Sequence, residues 1–294
     1  MISFMDKFQR SWDITKLTFK ILKNDKVMLL FPLLSSLFSI LFIVALIVPF
    51  VILSTFGVTQ QNGVASIIAL FVLYFGLAFL ATFFNVCVVY YTKKVFRNEE
   101  VTFKSTISFA FSNLKLIIYW AIVSATVSVL IRILENITRR MGGIGQMISR
   151  ILLASVAMGW AIATVFVIPS IVYNKKTPFD AIKESVETLR KTWGESIIRY
   201  AGLNIIQFIV TLIGVVILGG ITILSFILNL YVGIVMLIIT IIFVVVNVLV
   251  FQVANDIFNT ALFEYAQNGI VPSGYNQKAL SDAFAQDDTG QGRI

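Results

Sequence analysis

The feature that most constrains this chain is a run of 66 residues without a charged side chain, between Lys26 and Lys93. One membrane-spanning helix needs about 20 apolar residues. The run therefore predicts two spans, at about 27–53 and 64–92, with a turn in the segment STFGVTQQNG at 54–63. Charged residues make up 13% of the chain, about half the share of a soluble domain, which indicates that lipid is its main solvent.

Three further runs lack charge, and they hold 16, 24 and 56 residues: Lys115–Arg132, Arg150–Lys175 and Arg199–Asp256. The first predicts a third span that is either short or extends its terminal Lys115 and Arg132 side chains to the membrane interface. The second predicts a fourth span of ordinary length. The third is too long for one crossing, so it predicts spans five and six, with the turn at Gly219–Gly220 or at Asn229.

The positions of the cationic residues predict the orientation of these six spans. With the amino terminus in the cytoplasm, 19 of the 23 Lys and Arg residues lie on the cytoplasmic side. The other four are Arg132, Arg139, Arg140 and Arg150. Cytoplasmic loops carry an excess of Lys and Arg, so we expect both termini in the cytoplasm and the first span as an uncleaved anchor.

Composition also excludes several classes of function. The chain has no histidine and one cysteine, Cys87, which excludes histidine-based catalysis, cysteine-rich metal sites and internal disulfides. Its net charge of +8 is confined to short clusters between apolar runs, which argues against a nucleic-acid partner. We expect no metal, no cofactor and no enzymatic activity.

Three segments outside the spans combine an apolar stripe with a charged back, which is typical of helices lying along a membrane interface. They are the amino-terminal arm (Phe4, Phe8, Trp12, Phe19, Leu22), residues 103–114 (Phe103, Ile107, Ala110, Phe111, Leu114) and residues 178–193 (Phe179, Ile182, Val186, Leu189, Trp193). Six basic residues on two of them are candidate contacts for anionic lipid headgroups: Lys16, Lys20, Lys23, Lys183, Arg190 and Lys191.

The predicted fold is therefore an all-α membrane bundle of six transmembrane helices with up to three interfacial helices on the cytoplasmic side. Each interfacial helix precedes a two-span hairpin, at 1–92, 95–173 and 176–258. This order favours a three-fold parallel repeat, and TFKSTISFAF (102–111) aligns loosely with PFDAIKESVE (178–187). Residues 1–268 are expected to form one membrane domain, and residues 269–294 a cytoplasmic tail.

Polar side chains recur at helical spacing on spans five and six. They are Asn204, Gln207, Asn247, Gln252, Asn255, Asp256 and Asn259. Such residues are costly in lipid, so they predict either a polar cavity between the two spans or interhelical hydrogen bonds. At the outer surface Arg132 and Glu135 are expected to pair, and the arginines around them either bind anionic headgroups or form an ordinary solvated loop.

Both ends of the chain carry short motifs: RSWDITKLTFKILKNDKVMLLFPLLSSL (Arg10–Leu37) and ALFEYAQNGIVPSGYNQKALSDAF (Ala261–Phe284). On these motifs the chain resembles an uncharacterised prokaryotic integral-membrane family, a domain of unknown function. The resemblance implies a multi-pass protein of the prokaryotic plasma membrane with no established activity. In layout the chain is similar to the membrane domain of some glycerophosphodiester phosphodiesterases, but no hydrolase segment is found, so that activity is not implied.

Two functions are compatible with these observations. The first is a non-enzymatic organising or accessory protein that interacts with membrane lipids, a membrane-protein partner or a second copy of itself. The second is a transporter or channel for a small or amphiphilic solute, which would use the polar faces of spans five and six. The near absence of charge within the spans favours the first.

Overall fold

The charge-free runs fold into long helices, as hydrocarbon requires of a chain that must satisfy its backbone hydrogen bonds internally. The computed structural model describes residues 15–55, 63–140, 142–193 and 202–275. These residues form a 3-10 turn at Lys26–Leu29 and ten helices: α1 (15–24), α2 (Leu30–Thr55), α3 (Gly63–Phe96), α4 (Phe103–Ser112), α5 (Leu114–Arg140), α6 (Gly143–Ala163), α7 (Val167–Asn174), α8 (Pro178–Trp193), α9 (Gly202–Leu228) and α10 (Leu230–Asn268).

Six segments of this set are long and apolar enough to cross a membrane, which confirms the predicted six-span architecture: Lys26–Pro49, Ile67–Phe96, Leu114–Arg140, Gly143–Asn174, Leu203–Leu228 and Leu230–Asn268. Large apolar side chains point outward along them, as on α9 where Val216 is 64% exposed and Ile227 is 76% exposed. A surface of this kind suits lipid rather than water. Most of the amino-terminal arm, most of the 54–63 turn and the last 19 residues lie outside the described part of the chain.

The turn between the last two spans lies at Asn229, and the alternative prediction of Gly219–Gly220 is wrong. Asn229 caps α10, because its side-chain oxygen accepts hydrogen bonds from the N–H groups of Tyr231 (2.8 Å) and Val232 (3.4 Å). Such a cap satisfies N–H groups that have no partner within the helix. Both glycines lie inside α9, and a Cβ added to either would have no atom within 4 Å.

The third span is longer than its charge-free run, so the alternative of a short span is wrong, and the helix contains Lys115 and Arg132 within its length. Helix α5 has 27 residues, or about 40 Å at 1.5 Å per residue, and it continues two turns past Arg132. Continuation is tolerated because the Arg132 guanidinium pairs with the Glu135 carboxylate one turn later, at 2.9 Å. This pair was expected, and it allows charged residues to extend the helix instead of ending it.

The fourth span is broken at Thr164–Phe166 into α6 and α7. Pro169 in the first turn of α7 accounts for the break, since it has no N–H and its ring clashes with the carbonyl four residues earlier. At the break, the N–H of Phe166 donates to the Ser185 hydroxyl of α8 at 3.0 Å, in a buried position. A hydrogen bond thereby connects the break in the fourth span to α8, the helix that follows this span.

Two of the predicted interfacial segments are helical, namely α4 and α8. Helix α4 begins at a reciprocal cap, in which Thr102 accepts from the N–H of Ser105 (3.1 Å) and Ser105 accepts from the N–H of Thr102 (3.0 Å). Each two-span hairpin follows a short helix, in the order α1, α4 and α8. Their location at an interface and an origin by repetition stay predictions.

The contacts divide the chain into two compact units. One unit combines α1, the 3-10 turn, Phe96–Asn98, α9 and α10. Within it, α1 packs on α10 through an edge-to-face contact of Phe19 with Phe251, whose centroids lie 5.3 Å apart. After α10 ends, residues 271–275 return to α1, where a Cβ on Gly274 would lie 2.9 Å from Ile21.

The other unit combines α2, most of α3, and α4 to α8 as far as Leu189. Its first hairpin closes where the Phe42 ring of α2 covers Gly76 of α3, so that a Cβ there would lie 2.1 Å from the ring. Helices α5 and α6 meet through stacked indoles, Trp120 and Trp160, with centroids 6.0 Å apart. These two contacts hold together helices of the unit to which α8 also belongs.

Candidate functional site

The polar residues on the last two spans pair across the α9–α10 interface. The Thr211 hydroxyl lies 2.9 Å from Asn247 Oδ1, and the Asn255 amide lies 3.5 Å from Asn204 Oδ1. Asn247 is only 8% exposed, and its side-chain oxygen accepts its hydrogen bond from Thr211 within the protein. Of the candidate cavity residues, the structure thus brings Asn204 and Asn255 together and uses Asn247 as an interhelical link.

A third polar pair joins the hydroxyls of Thr222 and Thr240 at 2.9 Å, and sequence reasoning missed it. Counting outward from the turn would not have found it, because Thr222 lies 7 residues before Asn229 and Thr240 lies 11 residues after it. Between the polar pairs, the Phe243 ring lies over Gly214, where a Cβ would be 2.2 Å from the ring. The described length of this interface is therefore closed by direct packing.

The carboxyl-terminal half of α10 retains buried oxygens that accept no hydrogen bond from any described residue. They are Asn255 Oδ1, Asp256 Oδ2 and Asn259 Oδ1. Spacings of three and four residues place these side chains on one face of the helix. Oxygens of this kind can accept from an ammonium, a hydroxyl or a hydrated cation. Gln207 and Gln252, the remaining cavity candidates, are half-buried on their helices.

A buried cluster at the carboxyl end of α10 was not predicted. The Tyr275 and Thr18 hydroxyls lie 2.6 Å apart, and Arg97 Nε donates to the Glu264 carboxylate at 3.2 Å. Glu264 is only 2% exposed, so this pair compensates an otherwise buried charge. Burial raises the pKa of the Tyr275 hydroxyl above its ordinary value, and the hydrogen bond with Thr18 partly opposes that rise.

The basic residues predicted on α1 are exposed together. Lys16, Lys20 and Lys23 face outward, whereas Thr15, Thr18, Ile21 and Leu22 are buried. Spacings of four and three residues place the three ammonium groups along one side of the helix. The expected basic face is present here, and its opposite side packs into the protein.

Helix α8 is held to α7 by its small and acidic side chains. Ser170 donates to the Glu184 carboxylate, which also accepts from the Asn174 amide at 2.7 Å. Ala181, Ser185 and Thr188 form the buried face, with relative exposures of 0%, 0% and 1%. Of the apolar stripe identified from the sequence, Leu189 is buried and Ile182 packs against the core, whereas Phe179 points outward.

The other side of α8 combines apolar and basic groups. Phe179 is 74% exposed, Lys183 and Arg190 are exposed and Val186 is half-buried. The spacings of four, three and four residues put these side chains on one face. An exposed phenylalanine one turn before the first of two cations matches the composition of helices that bind membrane surfaces. The Lys191 side chain lies outside the described part of the chain.

A family model described as a family of unknown function (DUF6159) matches residues 64–273. The match begins after the amino-terminal motif that suggested an uncharacterised membrane family, and it includes the Tyr265-to-Pro272 exit motif. Comparison with curated proteins and with solved structures finds no match.

Proposed function

This chain belongs to that family of unknown function, and from this premise we propose that it is a non-enzymatic membrane protein that organises or recruits anionic lipid at the cytoplasmic surface. It crosses the bilayer six times, and its α1 and α8 helices contact the headgroups. The layout similarity to glycerophosphodiester phosphodiesterase membrane domains carries no part of this proposal.

The observation that carries the proposal is the outward face of α8, formed by Phe179, Lys183, Val186 and Arg190. Helix α8 begins four residues after α7 ends, and α7 closes the fourth span. This proximity puts the exposed face near the membrane surface. Phe179 can enter the acyl boundary while the two cations reach headgroup phosphates.

The fastening of α8 supports the same conclusion. The acidic side chain of Glu184 is turned toward α7, and Asp180 accepts from Thr177 at 2.6 Å at the start of the helix. Two of the three carboxylates on α8 are thereby engaged in hydrogen bonds. The third, Glu187, is exposed within one turn of both Lys183 and Arg190. The two cations outnumber it on this face, which favours anionic lipid over zwitterionic lipid.

The distribution of Lys and Arg residues supports the orientation that we propose. The basic residues of α1 and α8 belong to the 19 cations on the amino-terminal side of the six spans. The positive-inside rule assigns that side to the cytoplasm. We therefore propose a location in the cytoplasmic membrane of a prokaryote with both termini in the cytoplasm.

Lipid selectivity tests the proposal. The protein is reconstituted in mixed phosphatidylcholine and phosphatidylglycerol bilayers, and the immobilised fraction of each spin-labelled lipid is measured by electron paramagnetic resonance. Replacing Lys16, Lys20, Lys23, Lys183, Arg190 and Lys191 by Gln should lower the preference for phosphatidylglycerol severalfold, since each cation near the surface contributes about 1 kcal/mol. The single change Phe179→Ser should shorten the lifetime of the contact.

A matched control is Lys104→Gln, which removes one exposed cation from α4 without changing α1 or α8. It should leave most of the preference intact. Equal selectivity in the wild-type protein and in the variant with six substitutions would contradict the proposal.

A transporter or channel for a small or amphiphilic solute is the second candidate, and the buried oxygens of Asn255, Asp256 and Asn259 favour it. The closed packing between α9 and α10, where Phe243 covers Gly214, weighs against a route between these two helices. Solute flux in proteoliposomes that is abolished by Asp256→Ala, with lipid selectivity unchanged, would replace the first proposal by this one.

A further inference from the structure

A cleft of about 500 Å³ opens between α5 and α6, at the ends of these helices that lie far from α4 and α7. Its deeper wall is apolar and includes Ile131, Leu153 and Ala157, whereas its mouth carries Glu135, Arg139 and Arg150. The volume is in the range of small-molecule sites, which are mostly apolar with a few placed polar groups.

The charges at the mouth do not cancel. Glu135 is already paired with Arg132 at 2.9 Å, so its charge is largely offset. Neither Arg139 nor Arg150 pairs with a carboxylate in the part of the chain that the structure describes. Two guanidinium groups line one cleft, and an anion bound there can accept hydrogen bonds from them.

The polar and apolar parts of the cleft follow one another along the helix axes. Ala157 lies seven residues beyond Arg150 on α6, and Ile131 lies eight residues before Arg139 on α5. At 1.5 Å per residue, Ala157 lies about 10 Å beyond Arg150, and Ile131 lies about 12 Å before Arg139, each along its own helix. Leu153 lies between Arg150 and Ala157, about 4.5 Å beyond the arginine. The distance from Arg150 to Ala157 matches several methylene groups of an acyl chain, with the hydrocarbon of the bilayer beyond.

We propose that this cleft binds an amphiphile with an anionic phosphate or carboxylate head, held by Arg139 and Arg150, and an acyl chain that lies against Ile131, Leu153 and Ala157. The site lies at the end of the α5–α6 hairpin remote from α8, so it is separate from the basic faces of α1 and α8. The inference therefore does not depend on the function proposed above.

The ligand source is determined by titrating the purified protein with dioleoylphosphatidylglycerol, oleate, dioleoylphosphatidylcholine and glycerol 3-phosphate, with bound ligand counted by native mass spectrometry. Arg139→Gln and Arg150→Gln should each weaken binding of the anionic amphiphile about tenfold, as loss of one charge-assisted contact requires. Arg140→Gln is the matched control, because this exposed neighbour does not line the cleft. Preference for phosphatidylglycerol assigns the site to a membrane lipid, and preference for oleate assigns it to a free fatty acid.

A second pair of variants tests the acyl part while leaving every charge in place. Ala157→Leu fills the deep end of the cleft and should weaken binding of the long-chain ligand, whereas Val156→Leu on the exposed neighbouring position should not. In a variant whose only tryptophan is Trp160, one turn beyond Ala157, a lipid brominated on its acyl chain should quench the fluorescence. Equal affinity for phosphatidylcholine, or unchanged binding in both arginine variants, would overturn the inference.

Discussion

At the scale of single residues, the structure explains how polar groups are accommodated in an apolar chain. Between α9 and α10, polar side chains find partners on the facing helix, as Thr211 does with Asn247 and Thr222 does with Thr240. Hydrogen bonds of this kind contribute modestly in membranes, at about 0.6 kcal/mol on average. They fix the register of helices more than they stabilise them.

The buried contact of Tyr275 with Thr18 gives a prediction at this scale. Tyr275→Phe removes a 2.6 Å hydrogen bond and should lower the free energy of unfolding by about 1 kcal/mol. Thermal unfolding in detergent should show a decrease of a few degrees. Tyr231→Phe, at a position 78% exposed, should leave the unfolding temperature unchanged.

The same variant predicts a dependence on pH. Burial raises the pKa of Tyr275 in the folded protein, so its neutral form stabilises the fold fully below the ordinary tyrosine pKa of about 10. Above that pH the unfolded chain loses the proton first, and this stabilisation is lost as the pH rises toward the folded pKa. The difference in stability between wild type and Tyr275→Phe should therefore change between pH 9 and about 11 and stay constant below, and a constant difference throughout would contradict this assignment.

At the scale of helices, glycine positions under phenylalanine rings determine how closely neighbours approach. Phe42 covers Gly76 in the first hairpin, and Phe243 covers Gly214 in the last. Small residues permit close backbone approach between membrane helices, where dispersion replaces the hydrophobic effect as the main attraction. Gly219, on the same helix as Gly214, has no neighbour within 4 Å of a Cβ position.

Two substitutions on α9 test this difference with the same chemistry. Gly214→Ala places a Cβ 2.2 Å from the Phe243 ring, so the ring or the helix must shift, and the unfolding temperature should fall by several degrees. Gly219→Ala meets nothing and should be neutral or slightly stabilising because alanine favours helix. Equal effects of the two changes would show that the ring contact does not hold the hairpin together.

Sequence alone predicted the number of spans because charge-free length is a strong constraint. It did not decide between Gly219–Gly220 and Asn229 for the last turn, because glycine is compatible with a turn and is also tolerated inside a helix. It identified the apolar stripe of α8 but not the whole of its packing face, since Ala181 and Ser185 become buried through partners on α7 and at the Phe166 break. Such partners depend on tertiary contacts that periodicity does not contain.

At the scale of the whole molecule, the decisive property is which side of the bilayer each loop occupies. Six crossings are expected to return α1 and α8 to one side of the bilayer and to leave the Arg140–Gly143 connection on the other. The asymmetry of 19 cations against four predicts that the side of α1 is the cytoplasm. On this prediction the two proposed lipid contacts lie in opposite leaflets. The basic faces of α1 and α8 contact the cytoplasmic leaflet, and the cleft between α5 and α6 opens to the outer leaflet.

Single cysteines in a Cys87→Ser background test the topology directly. In intact cells, a membrane-impermeant maleimide should label Gly145→Cys, because it follows the connection between α5 and α6. Lys20→Cys and Lys183→Cys should react only after permeabilisation. Labelling of Lys20→Cys and Lys183→Cys from different sides would contradict a six-span arrangement.

The bond from the Phe166 N–H to Ser185 has a consequence for biosynthesis. The Phe166 N–H leaves the ribosome 19 residues before the Ser185 hydroxyl. The N–H therefore lacks this partner until the segment that carries Ser185 has been translated. The fourth crossing can reach its final geometry only when that later segment has emerged and folded. Helix α8 is therefore the last part of this arrangement to be made, and the fourth span can mature only after α8 has been translated.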